Sequence, residues 1–317
     1  MNGPVVNKRV AEAIALRGFF QDQWEHLQRL TSDWQNKKAR EQEEAQRISS
    51  AVESIVEATD SRIRGIGGYQ KRLRSSARKM LDHIQGLVMN FPSAVCVDRV
   101  AVVRDPLARR LFADRQSVQQ IFREDSGIQA YFRSGEHADK EYVYALLFLL
   151  RHEKNIFGAE MRGEIIVKEV QQTSVVFYGH QLHAPGPDEA QVRSAMMKIL
   201  FDNVIRHIKH QMTGLRHGQS EEEKKMGALN PERNLNNPAV YVDMLVEQMS
   251  LPGKLIKLQD ELIRVDRMGI KLPLKSNATS DVLHLYEVEI GEDHSRVAAI
   301  VRYPRSEFHC LSMKGSV

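Results

Sequence analysis

Asn203, His207, His210 and His217 fall at steps of four, three and seven, so a helix over this stretch carries all four on one stripe. Val192, Met196 and Ile199 hold the same stripe in earlier turns, and an apolar face thus turns polar part-way along. Two neutral imidazoles at i and i+3 can share a transition metal, and Asp202, His180 or His183 could complete its ligands. The simpler alternative is a helix that leaves the core near Val204 and solvates these groups. The chain carries no Cys/His cluster of zinc-site spacing, so neither a metal nor another cofactor is expected, and His207 and His210 stand only as a speculative ligand pair.

A second group of residues suits an anion. From Ser61 to Leu81 there are seven basic residues and no acid. Tyr69, Leu73, Ala77, Met80, Ile84, Leu87 and Phe91 recur at helical steps, which defines an apolar face with most of the cations turned away from it. Arg64, Lys71, Arg72, Arg74, Arg78 and Lys79 are therefore candidate contacts for a nucleic acid or another polyanion. A competing account reverses the chain at Gly65, Gly67 and Gly68, so that Glu53, Glu57 and Asp60 neutralise Lys79, Arg72 and Arg74. Gln116 to Ser134 resembles a helix-turn-helix in outline only, with Gln129 and Arg133 as its few base-reading side chains.

Other chemistries fail on inspection. Gly253-Lys254 is followed by Leu255 and has Gln248 five positions before it, so it is no P-loop. Gly65-Ile66-Gly67-Gly68 has Gln70 where a dinucleotide fingerprint needs glycine. His152-Glu153 opens a zincin-like motif, but Ile156 stands where the second histidine would sit. There is no GxSxG, no CxxC and no EF-hand loop. These absences argue against an ATPase, a Rossmann oxidoreductase and an α/β-hydrolase.

The elements that must position these residues follow from pattern. Residues 8 to 62 predict mostly helix, with one seam at Phe20, Trp24, Leu27 and Leu30 and another at Ile48, Val52 and Ile55, joined by a polar stretch from Gln35 to Arg47. Short helices are expected over 93 to 135, with an N-cap at Asp105 before Pro106 and another at Ser126. Lys140 to Phe157 is apolar nearly all round and predicts a central core helix. Residues 164–170 and 174–183 predict one hairpin turning at Gln171-Gln172-Thr173. Asp188 caps a long helix to about Leu215, residues 216–238 form a mobile polar loop, and 239 to 268 are helical with a break at Pro252-Gly253. Val282 to Ile290 and Val297 to Tyr303 predict a second hairpin.

Together these predict an α+β, helix-rich fold. A coiled-coil-like helical arm covers 1–92, and a globular domain with a small antiparallel sheet of two hairpins covers 93–317. The longest apolar run, Tyr142 to Leu150, is far short of the roughly 20 residues of a membrane span, and the first twenty residues lack a signal-peptide core. Two cysteines, Cys96 and Cys310, make no disulfide framework, and a cytoplasmic location is expected. The formal charge of +4 in 317 residues is mildly basic. The preferred function is a non-catalytic interaction or scaffold protein that docks a protein partner or oligomerises through the arm, with Phe20, Trp24, Leu27 and Leu30 as the docking seam. Nucleic-acid binding through the basic helix and a metal-dependent enzyme at His207/His210 stay open as alternatives.

Overall fold

Tyr142–Arg162 forms a strand, β2, and not the expected core helix. Val143, Ala145, Leu147 and Leu149 are buried on one side of it, and Leu146 and Phe148 on the other. A strand buried on both faces loses its period of two, which is why the segment imitates a buried helix. The computed structural model describes residues 37–162, 165–218, 237–276, 278–291 and 294–309. The chain divides into two compact units, residues 1–57 and 58–317.

The described part of the first unit is helical: one helix, α1, covers residues 37 to 58. It contains most of the polar stretch and the Ile48, Val52, Ile55 stripe. No coiled coil is seen among the described residues, and the seam at Phe20, Trp24, Leu27 and Leu30 lies outside them.

The second unit starts with a 3-10 turn, Ser61–Gly65, capped by Asp60. Gly68, at φ 75°, then admits the left-handed turn that starts α2, Tyr69–Met89. β1 (Val95–Cys96) precedes four short helices: α3 (Ala101–Arg104), α4 (Pro106–Leu111), α5 (Arg115–Glu124) and α6 (Ser126–Ser134). The carboxylate of Asp105 caps α4 as expected. The cap of α6 is Asp125, one residue before the expected Ser126. β2 follows, then β3 (Ile165–Gly186) and α7 (Glu189–Gly218), whose first turn is held by Asp188 accepting from the Gln191 N–H at 2.8 Å. After α8 (Pro238–Ser250) and α9 (Pro252–Leu255) come β4 (Ile256–Val265), β5 (Ile270–Leu272), β6 (Asp281–Ile290), β7 (His294–Pro304) and α10 (Arg305–His309). The helix expected over 239 to 268 therefore gives way to β4 at Ile256.

The sheet is larger than two hairpins. Seven strands lie in the order β1-β7-β2-β3-β5-β4-β6, and β6 also pairs with β7. Six strands thus close into an antiparallel ring, and β1 joins β7 in parallel at Val301 and Arg302. The β6–β7 hairpin matches expectation. The other does not: 164–170 and 174–183 belong to one strand, and its hairpin partner is β2. Register shifts against β2 occur near Glu169, Gly179 and Ala184, and each of these has a positive φ, at 61°, 67° and 51°. Such bulges bend a strand and increase its twist, which lets the sheet curl far enough to close.

Two helical layers cover the sheet. α3–α6 contribute Val102, Leu111, Phe112, Phe122, Ile128 and Phe132 to a core with Val143, Leu147, Leu285, Val301 and Tyr303, where Phe122 stacks on Tyr303 at 4.3 Å. The opposite face receives α7, and α2 packs against both α7 and α8.

Candidate functional site

Helix α7 is buried along Val192, Met196, Leu200, Val204, Ile208 and Met212. The polar stripe next to that face carries Asn203, His207 and His210 to one wall of a cleft of about 1010 Å³. β3 contributes Gln181 and His183, β2 Phe148, β6 Val288 and Ile290, the turn after it Gly291, β7 Arg296, and α9 Lys254 and Leu255. The site residues expected on the helix, Asp202, Asn203, His207 and His210, thus share the cleft with His183. His180 does not join them: its Nε2–H donates to the Leu111 carbonyl at 2.6 Å and its ring stacks on Phe112. Among the described residues, no three His, Cys, Asp or Glu side chains are grouped to hold a metal.

The cleft's floor is apolar, with Phe148, Leu200, Leu255 and Val288 all buried. Its rim is cationic, with exposed Arg206, Lys254 and Arg296. Among the described residues none of the three forms an ion pair with a carboxylate. Arg206 donates instead to the Asn203 amide oxygen at 3.1 Å, and Arg296 to that of Gln181 at 2.5 Å. Neutral amides hold the guanidiniums without cancelling their charge. His183 sits half-buried beside Phe148 in an edge-on contact, ring centroids 5.7 Å apart. Burial pushes its imidazole below the ordinary pKa; the Asp125 charge opposes that shift and Arg296 adds to it. The ring of His207 lies over Gly291, where a Cβ would come within 2.2 Å of it. The described lining has one carboxylate, Asp202, and no serine, threonine, cysteine or tyrosine. It offers charge and hydrogen-bond donors for recognition, not a nucleophile paired with a base.

Arg206, Lys254, Arg296 and Gln181 were not legible as site residues. Arg296 left the clearest trace. It shares a strand face with buried Ala298 and Ile300, an odd setting for a solvated cation.

The basic helix is α2. Its apolar face is as expected, with Leu73, Ala77, Met80 and Ile84 buried. Arg72 pairs with Asp243 of α8, and Arg62 with Asp60. Lys71, Arg74 and Lys79 are exposed and have no ion pair among the described residues, while Arg64 and Arg78 are also exposed. In the helix-turn-helix outline, α5 and α6 bury Val118, Phe122, Ile128 and Phe132, while at their surface Gln129 donates to the Arg123 carbonyl and Arg133 to Gln129.

A third feature had no sequence forecast. β2 leaves β7 after Leu149, and β3 meets β5 only at Thr173 and Ser174. Beyond these ladders residues 156–162 and 165–172 pair, among the described residues, only with each other. This ribbon exposes Phe157, Ile165 and Ile166, with Phe157 78% accessible.

No family model, curated protein or solved structure matches the chain. Its function must be argued from these surfaces. No helix among the described residues is long and apolar enough to cross a membrane.

Proposed function

We propose that the chain is an interaction protein that associates with a second copy of itself. The observation that supports this is the β2–β3 ribbon. A lone two-stranded hairpin is marginal in water and gains stability from a third strand or an apolar cover. Among the described residues this one has neither beyond Thr173, and it exposes Phe157, Ile165 and Ile166. Phe157 and Ile166 share one face of the ribbon and Ile165 lies on the other, so a two-fold contact between ribbons would cover Phe157 and Ile166 in both copies at once. The expected docking seam of the arm would add to the same association. A reducing, cytoplasmic setting suits the two distant cysteines. Light scattering tests the proposal. The intact chain should run as an oligomer, and Phe157→Ser with Ile165→Thr and Ile166→Thr should lower its mass to that of the monomer. A monomeric intact chain at every concentration would remove self-association.

The exposed Lys71, Arg74 and Lys79 support a second proposal, binding of a nucleic acid along α2. The log of the affinity should then fall linearly with log salt, and replacing the three by Gln should reduce the slope by about three. Binding with an unchanged slope would assign the contact to another surface.

A further inference from the structure

We propose that the cleft between α7, α9 and the strands β3, β6 and β7 binds a small amphiphilic anion, a carboxylate or phosphate head on an apolar body. Three cations reach its rim from separate elements, Arg206 from α7, Lys254 from α9 and Arg296 from β7. None of the three is ion-paired to a carboxylate among the described residues, so their charges are left for a ligand. Asp202, the one carboxylate of the described lining, is exposed and forms no ion pair among the described residues. An anionic head would supply the missing charge, and guanidinium N–H groups form charge-assisted hydrogen bonds with carboxylate and phosphate oxygens. The amide tethers from Asn203 and Gln181 fix both guanidiniums before the ligand arrives, so less freedom is lost on binding.

The floor selects the rest of the ligand. Phe148, Leu200 and Val288 offer buried apolar surface but little to hydrogen-bond with. A bare phosphate would leave that floor wet, and a sugar-rich ligand would leave its hydroxyls unmatched there. The volume of about 1010 Å³ is at the upper end of small-molecule sites and leaves space for an alkyl or aryl body beside the head.

Calorimetric titration of the full chain with four probes tests this. Decanoate and decyl phosphate carry head and body, 1-decanol carries the body alone, and inorganic phosphate the head alone. At least one of the two alkyl anions should bind about tenfold more tightly than either partial probe. Comparing the two tells a carboxylate from a phosphate as the preferred head. Arg206→Gln and Arg296→Gln are exposed replacements that leave the apolar floor intact, and each should weaken the alkyl anion by about tenfold. Equal binding of 1-decanol would overturn the anionic head, and equal binding of inorganic phosphate the apolar body. Alkyl-anion binding insensitive to both arginine variants, or no binding by any probe, would overturn the site.

Discussion

Arg151 on β2 donates to Glu261 on β4, Nη1 to Oε2 at 2.6 Å, although β3 and β5 stand between those strands in the ladder. Its Nε also reaches Glu287 on β6 at 3.1 Å. Lys271 of β5 completes the network, 2.9 Å from Glu153 and 3.4 Å from Glu261. Arg151 continues the β2 face of Leu147 and Leu149, Glu261 the β4 face of Ile263, and Glu287 the β6 face of Leu285. An ionic layer therefore succeeds the apolar one and ties four strands of the ring together. Burial opposes the charge of Arg151, but its three carboxylate neighbours outweigh that and raise its pKa.

Replacing Arg151 by Met should destabilise the protein by roughly 1–3 kcal/mol, between the values for exposed and buried pairs, since Lys271 reaches only Glu153 and Glu261, and Glu287 would lose the cation it pairs with. Arg151→Lys should recover part of the loss, keeping the charge but not the fork of donors. Urea unfolding measures both. A change within about 0.5 kcal/mol for the Met variant would mean that the network contributes no more than an ordinary surface site.

Acid should act through the same network. Burial would raise the Glu261 pKa, but the hydrogen bond and charge of Arg151, with Lys271, hold it below the ordinary carboxylate range. A folded-state pKa below the unfolded one gives stability that is complete above the unfolded value, about 4.3 for glutamate, and is lost as pH falls through the folded value. The urea midpoint should fall with pH in that range, and more gently in Arg151→Met, where Glu261 has lost its main cation. Parallel curves for the two proteins would exclude Glu261 from the acid response.

Local signals were legible and paired ones were not. Asp105 and Asp188 announce α4 and α7 because a cap needs only its own next turn. The β6–β7 hairpin shows in its β-rich runs and the Gly291 turn. The β2 segment was misread because burial on both faces erases its period. Gln171-Gln172-Thr173 has the polar character of a turn, yet these residues pair with Phe157, Ile156 and Asn155 within one long strand. The histidine stripe of the cleft followed from helical spacing alone. Lys254, Gln181 and Arg296 reach it through strand pairings and helix docking that link distant parts of the chain, and no local pattern encodes those.

His183 should make the protein sensitive to mild acid. Its folded-state pKa is lowered, chiefly by burial, so the unfolded chain takes up the proton first. Stability should be complete above the unfolded value near 6.5 and fall as pH drops below it, until the folded pKa is passed. His183→Phe should flatten this part of the curve, just below about pH 6.5, while leaving the lower carboxylate limb in place. An unchanged slope in the variant would assign the mild-acid response to other groups.

Gly291 and His207 should behave as a coupled pair. Gly291 has φ 68°, a conformation that costs a side-chain-bearing residue about 1–2 kcal/mol, and an added Cβ would also overlap the His207 ring. Gly291→Ala should therefore destabilise by roughly 1–3 kcal/mol, with the lower values if the ring swings into the cleft. His207→Ala removes the overlap but not the backbone strain, so the double variant should be more stable than the two single losses predict, by at least about 0.5 kcal/mol. Alkyl-anion titrations should show the same pattern, because a displaced ring would occupy ligand space and its removal would restore it. Strictly additive stability losses would mean that the ring does not rest on the glycine.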